Sequence, residues 1–445
     1  MLKKIFDSKL FFFTQDSYVK KLILIGLVFR FLLMVIFYFN TTIFPDSHGF
    51  IELANYMLRF DLSGYNGNRS PGYSALIFLG FGKSWLTVIY QFFIGVFTSV
   101  IIYKTIINLH FSKRSSFVIA LFLESFLHVI FYETSILIET FSLFFMSLLM
   151  YEISKGYLTS KSIQKDLWMG FILGYLVLIK PFYAYIPFLV YGLYVLNEFN
   201  FKKMISQKLI ILIFPLVAYF GWSYVNKINT GHFVSTTFFG LNLSQNCVYF
   251  AEKGPKEYAW ISKPYAKYRD VYIKENKDVA MSIWEAHDKE LQYSHPNFPD
   301  LSAELGKYAF QTIKNNPIPY LKQVVFRSWF DFWKPRICWN YDKFNFKHAN
   351  KPFLLIWWLQ VVVIVASTLA FFPISFIYLK EYFSTRKISF EIFSVVLVWV
   401  SSILQALATY GTNSKYRFPF EFIIFLVVIL YLRKKHWIPK WLHIL

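Results

Sequence analysis

One recurrence constrains this chain more than any other feature. Apolar stretches about 20 residues long, enough to cross the hydrocarbon core of a bilayer, return along most of its 445 residues. They fall at roughly 22–39, 85–107, 116–131, 135–151, 167–180, 182–197, 208–228, 353–379, 388–410 and 419–432. A segment in lipid must satisfy its own backbone hydrogen bonds, which leaves helices or closed barrels. Continuous apolar runs, as opposed to alternating ones, select helices. The expectation is an all-α polytopic membrane protein of about ten transmembrane helices.

The 46 lysines and arginines outnumber the 26 acids and give a formal charge of +20. In a soluble chain that excess would suggest nucleic acid, but here the cations cluster at the ends of the apolar stretches. "MLKKIFDSKL" and "YVKK" precede the first, "SKRSS" follows the second and "SKGYLTSKSIQKD" the fourth. "NFKKMISQK" follows the sixth, "KEYFSTRK" the eighth and "LRKKHWIPK" the tenth. If ten spans alternate, all these loops share one side, which is the positive-inside pattern with both termini cytoplasmic. No nucleic-acid partner is expected; the partners are membrane lipids. The first stretch carries Arg30 and ends at "YFNTTIFPD" with no small-residue cleavage pattern, so it reads as a retained span and not a signal peptide.

Three parts follow from this topology. Residues 1–228 form an N-terminal transmembrane module whose first exterior loop runs from about 40 to 84. Residues 229–352 have soluble composition and read as a small exterior domain, and 353–445 hold the C-terminal helices and a cytoplasmic tail. In the middle part "DVAMSIWEAHDKEL" and "DLSAELGKYAFQTIKNN" have helical periodicity. "PIPYLKQVVFRSWFDFWKP" sets Trp329, Phe330 and Trp333 beside Lys322, Arg327 and Lys334, which suits a helix in the membrane interface or an ordinary packed amphipathic helix. Cys247 and Cys338 both fall in this part, as a disulfide or as two free thiols. There is no internal repeat.

In such a chain the informative residues are polar groups at or inside the spans, where they are costly and usually face a cavity. Asp46, His48 and Glu52 follow the first span in "FPDSHGFIELANYM", and Arg69 and Tyr73 sit in "NRSPGYSALIFL". Glu133 and Glu139 lie in "FYETSILIETFSLF", Lys180 precedes a proline in "VLIKPFYAYIP", and Lys415, Tyr416 and Arg417 stand in "GTNSKYRFPFEF". The topology places all five segments on the exterior side. Cations gathered there would suit a phosphate through charge-assisted hydrogen bonds, and a carboxylate beside them could act as a general base. Structural roles compete with each assignment: Arg69 as a loop cap, Lys180 as an interfacial lysine. Glu133 and Glu139, six residues apart and about 240° around a continuous helix, would not share a face. Arg30 is expected to pair with a buried acid such as Glu124 or Glu139, and His128 to be a satisfied core histidine. No His/Cys/Asp cluster has metal-ligand spacing.

Taken in order, these elements resemble the polyprenyl-phosphate-dependent, type C (GT-C) membrane glycosyltransferases, in the bacterial branch related to dolichyl-phosphate-mannose protein mannosyltransferases and aminoarabinose transferases. The resemblance spans about 40 to 430 and rests on Asp46, on Arg69 leading into Pro71, Gly72 and Tyr73, on Glu139, on Lys180 and Pro181, and on Tyr416, Arg417 and Pro419. The chain departs from the usual pattern at Phe50, where tyrosine is common, at Ser74, where proline is common, and at Lys180, where arginine is commoner.

The resemblance implies a GT-C fold in a bacterial inner membrane, with the active site on the exterior face. It implies an inverting transferase that moves a sugar from a polyprenyl (undecaprenyl) phosphate to a lipid, protein or glycan acceptor. Asp46 and Glu133 would be the catalytic carboxylates. Arg69, Lys180, Lys415 and Arg417 would bind the donor phosphate, and His48, Tyr73, Glu139 and Tyr416 would line the substrate cavity. Some relatives use a divalent metal, Mg or Mn, and here Asp46 and Glu133 would hold it. Two other classes compete: a ligase or polymerase acting on diphosphate-linked glycans, and a lipid or ion transporter with Arg30, Glu124 and Glu139 along its path. Transporters usually show paired repeats and broken helices, and the sequence displays neither.

Overall fold

The computed structural model describes residues 16–36, 41–197, 201–336, 350–411 and 413–437. Among them the regular structure is helical, with one isolated bridge between Thr42 and Ser135. The N-terminal part holds α1 (Ser17–Ile36), α2 (Pro45–Leu58), α3 (Pro71–Leu79), α4 (Ser84–Asn108), α5 (Lys113–Glu124), α6 (Leu127–Glu133), α7 (Glu139–Ser154), α8 (Ile163–Ile179), α9 (Tyr185–Leu196) and α10 (Ile213–Thr230). The middle part contributes α11 (Phe239–Gln245), α12 (Ala259–Lys274) and α13 (Phe298–Asn315), among shorter turns. Then come α14 (Asn350–Thr385), α15 (Phe390–Ala408), α16 (Asn413–Arg417) and α17 (Glu421–Lys434).

Among the described residues four helical stretches are long and apolar enough to cross a membrane: α4, Gln207–Thr230, α14 and α15. A fifth is added if α5 and α6, bent by 64° at their junction, count as one broken span. Other apolar stretches form shorter helices: α7 has 16 residues, α8 has 17, α9 has 12 and α17 has 14. The helix break at α5–α6 was not legible from the apolar run 116–131. Its loose backbone groups are satisfied by one side chain from α14: Leu127 N–H donates to Gln360 Oε1 at 2.9 Å, and Gln360 Nε2 donates to the Ser125 carbonyl at 2.9 Å. A break in an apolar bundle persists only when another element restores those bonds in this way.

One hydrophobic cluster runs through the bundle, from Leu22 and Leu33 to Ile423 and Leu430. The middle part has a core of its own, with Leu241, Ile261, Tyr265, Leu301 and Tyr308 at its centre. There α11 crosses α13 at Gly240, where a Cβ would sit 1.7 Å from the Ser302 carbonyl, so only glycine permits the contact. Cys247 is buried in this core; Cys338 lies outside the described residues. The segment read as an amphipathic helix consists of Pro317–Gln323, a wider π turn at Val324–Ser328 and Trp329–Phe332. It packs one face inward through Trp329 and Trp333, against Trp399 and Phe372, and leaves Ile318, Leu321, Phe326 and Phe330 exposed.

Candidate functional site

The Asp46 carboxylate sits in the first turn of α2, which begins at Pro45 with the Phe44 N–H donating to Ser47 Oγ at 2.9 Å. Proline suits the first helical position because the N–H it lacks would have no partner there. Proline also starts α3: Pro71 opens it, and the hydroxyl of Ser70 just before it donates to the Ile179 carbonyl at 3.3 Å, which is what the polar stretch ahead of the apolar run does locally. Gly72 then lets α3 meet the end of α8, since a Cβ there would lie 2.5 Å from the Leu178 backbone. At that end α8 stops at Lys180, whose extended backbone leads into Pro181. These terminations bring loop 59–70 and the α8–α9 junction to the same place as α2.

Asp46 is held by two cations from distant parts of the chain. Arg69 Nη2 donates to Oδ1 at 3.0 Å and Lys415 Nζ donates to Oδ2 at 3.2 Å. The carboxylate is half exposed, at 51%, while the Arg69 and Lys415 side chains are only 19% and 14% exposed. Burial pushes the Asp46 carboxyl up, but Lys415 and Arg69 outweigh it and hold it at about 2. Arg69 is rigidly presented. Its guanidinium lies between the rings of Phe50, at 4.6 Å, and Phe238, at 4.8 Å. Its N–H donates to Tyr65 Oη at 2.6 Å, and its carbonyl accepts from Tyr65 Oη at 2.7 Å and from Trp222 Nε1 at 3.2 Å. Its Nε is buried and has no partner among the described residues.

Lys180 and Glu139 complete the group. Lys180 Nζ lies 3.3 Å from the centre of the Tyr416 ring, which Phe182 supports edge-on at 5.4 Å. Glu139 opens α7, and the charges that act on it are Lys415, Lys180 and Asp46. Three cations (Arg69, Lys180, Lys415) thus face two acids (Asp46, Glu139), a net charge of +1 that favours an anion.

The structure does not gather every candidate. Glu133 is not near Asp46: it receives Arg30 Nε at 2.6 Å and Arg30 Nη2 at 2.7 Å, fully buried. The chain leaves the helix after Glu133 and starts a new one at Glu139, so the two carboxylates part company because they lie on different helices, not on opposite faces of one. Arg30 also binds Glu124 at 2.5 Å; of its two expected partners Glu124 holds and Glu139 does not. Arg417 turns about 200° away from Lys415 around α16 and is buried, donating to Thr368 Oγ1 at 2.6 Å and to the Trp333 carbonyl. Tyr73 is fully buried beneath Phe50, edge-on at 5.2 Å, with its hydroxyl donating to Gln91 at 2.8 Å, so it supports the group without lining it. His48 is exposed on α2. His128 is a paired core histidine, 2.5 Å from Glu421.

Phe238, Tyr65 and Trp222 escaped the sequence reading, since isolated aromatics in a chain that is 22% aromatic carry no signal. The polar run beside Phe238 does carry one in retrospect. Thr236 and Thr237 hydroxyls donate to the Asn68 and Asn66 carbonyls, both at 2.9 Å, and strap the middle part onto the Arg69 loop. A divalent metal does not suit this site: Asp46 and Glu133 are apart, Asp46 already carries two cations, and among the described residues no three His, Cys, Asp or Glu groups could hold a metal ion together. No family model matches the chain, and neither does any curated protein or solved structure.

Proposed function

We propose that the protein is an inverting membrane glycosyltransferase of type C, taking a sugar from a polyprenyl phosphate to an acceptor on the exterior face of a bacterial inner membrane. In this reading about ten spans alternate with both termini cytoplasmic, and residues 229–352 form an exterior domain strapped over the site. The observation that carries it is the Asp46 carboxylate bridged by Arg69 and Lys415, with Lys180 stacked on Tyr416 beside it.

A phosphate entering this group competes with Asp46 for the same donors. As Arg69 and Lys415 turn to the phosphoryl oxygens, the carboxylate is freed at the moment a base is needed. Asp46 then takes the proton of the acceptor hydroxyl or amine. The acceptor atom bonds to the anomeric carbon from the face opposite the phosphate, the carbon–oxygen bond to phosphate breaks, and its electron pair stays on the phosphate. The three cations stabilise that developing charge, and removing one such group typically costs about 3–4 kcal/mol of barrier.

The test is transfer from radiolabelled polyprenyl-phosphate sugars in membranes carrying wild type or Asp46→Asn. Wild type is expected to label an acceptor and Asp46→Asn to lose that labelling while unfolding at nearly the same temperature. Transfer by Asp46→Asn at the wild-type rate removes the base assignment. A second reading, a transporter, is favoured by one observation: the break between α5 and α6, a feature usual where a helix lines a translocation path. Uptake of a labelled lipid or ion by proteoliposomes, with no transfer from any monophosphate donor, would put that reading first.

A further inference from the structure

We infer that the break between α5 and α6 is a binding site for one exchangeable proton, held with water in a small chamber inside the bundle. The argument is independent of the transfer reading. The chamber measures about 30 Å³, room for about two waters at roughly 10–15 Å³ each. Its polar wall includes Ser99, Glu124, His128, Glu133, Thr140 and Glu421. Three atoms of that wall, Glu124 Oε2, His128 Nδ1 and Thr140 Oγ1, are buried and lack a partner among the described residues. Unpaired polar atoms around a water-sized space are the usual mark of buried water.

Charge counting supplies the proton. Arg30, from α1, pairs with Glu124 at 2.5 Å and with Glu133 at 2.6 Å. Arg417, from α16, lies 3.4 Å from Glu421, which also meets His128 Nε2 at 2.5 Å. Each of these six residues is 7% exposed or less. Two guanidinium groups against three carboxylates leave one negative charge (2 − 3 = −1). Among the described residues the other walls do not cancel it: α4 brings Gly95, Thr98 and Ser99, α7 brings Thr140, and Gln360 and Thr368 of α14 are uncharged. Glu139, next to Thr140, faces the Asp46 group and its lysines. A net charge so far from water is costly unless compensated. Because no three acid or imidazole groups converge as a metal site among the described residues, a proton fits better than a metal ion. It would come from solvent and be held among these carboxylates and the chamber water, completing a neutral set.

The fold is shaped for this arrangement. A Cβ at position 95 would lie 2.0 Å from Glu133 Oε1, so the glycine makes room for the carboxylate. Glu124 ends α5, where the helix dipole disfavours an anion, and Arg30 offsets it.

The test uses the full chain in detergent, following thermal unfolding between about pH 6 and 9, in NaCl or choline chloride at equal ionic strength. A proton bound in the folded state and absent from the unfolded one stabilises at low pH and is lost as pH rises. Wild type should therefore lose stability with rising pH, by up to about tenfold in the folding constant per pH unit. Glu124→Gln and Glu421→Gln each balance the charge without a proton and should flatten that dependence, while Thr140→Val should keep it. The two glutamine variants act at opposite ends of the chamber, so one that fails to fold leaves the other as the test. Parallel curves for wild type and the glutamine variants would overturn the site. Recovery of wild-type stability at high pH by Na⁺ and not by choline would overturn the proton in favour of sodium.

Discussion

The two ends of α8 carry similar residues and opposite designs. Near its start Asp166 accepts from Lys208 Nζ and from the Tyr157 hydroxyl, both at 2.8 Å, and from Gln207 at 3.3 Å. Lys208 donates again to the Tyr157 carbonyl at 3.3 Å and lies 3.9 Å over its ring. One acid meets one base, both are buried, and their hydrogen-bonding capacity is used within the chain. Near the other end, Asp46 is half exposed, the nearby cations outnumber the acids, and Arg69 Nε and Glu139 Oε2 have no partner among the described residues. The lesson is that an ion pair in a bundle is told apart from a site by saturation, not by charge. The saturated pair holds the helices; the unsaturated group has capacity left for something else.

The sharpest way to break this comparison is to remove one acid from each end. Asp166→Ala leaves Lys208 buried and uncompensated, which costs about 3–5 kcal/mol and should lower the thermal midpoint steeply in detergent. Asp46→Asn removes a half-exposed partner of two cations, and such pairs contribute about 1 kcal/mol or less. If Asp46→Asn destabilises as much as Asp166→Ala, the Asp46 group is structural and the distinction fails.

How much of this was legible depends on the range of the interactions involved. Helix starts and stops at Pro45, Pro71 and Pro181 are local chemistry, and the sequence announces them. The grouping of Asp46, Arg69 and Lys415 matches the expectation that these segments share one side, and the structure shows the three side chains in contact. Side-chain direction within a group is a matter of degrees around a helix. Lys415 and Arg417 looked equivalent at two residues' spacing, yet the first meets Asp46 and the second packs inside against Thr368. Glu124 and Ser125 interrupt the apolar run 116–131, but that they end a helix is not legible there, because the residue that stabilises the break, Gln360, belongs to a helix far along the chain. The pairing of Glu133 is hidden for the same reason: its partner, Arg30, is 103 residues away.

Phe238 offers a finer test, because it belongs to the middle part and touches the group through the Arg69 guanidinium. Phe238→Ala removes one of the two faces on which that cation stacks. Tyr65 and Trp222 still fix the Arg69 backbone, so the side chain is loosened without being displaced. A cation–π contact at such a site is worth about 0.5–1 kcal/mol. The expected outcome is a rise of about two- to fivefold in KM for the polyprenyl-phosphate donor with kcat nearly unchanged. A fall in kcat at constant KM would mean that Phe238 acts on the transition state and not on donor binding.

The smallest effect concerns acid pH, and it separates the free from the loaded site. In the free protein Lys415 and Arg69 hold Asp46 at about 2, below its ordinary 3.8. The stabilisation linked to that depression is present above 3.8 and is lost as pH falls through about 2. Wild type and Asp46→Asn should therefore differ by a constant amount in thermal midpoint from neutral pH down to about 4, and converge below it. Donor phosphate changes the balance by drawing the same two cations to itself, which releases Asp46 toward the ordinary carboxylate range. Because kcat/KM reports the free enzyme and kcat the loaded one, the Asp46-dependent acid limb of kcat should lie at higher pH than that of kcat/KM. Coincident limbs would mean that the phosphate does not compete with Asp46 for Arg69 and Lys415, and the unsaturated end of α8 would then need a different ligand.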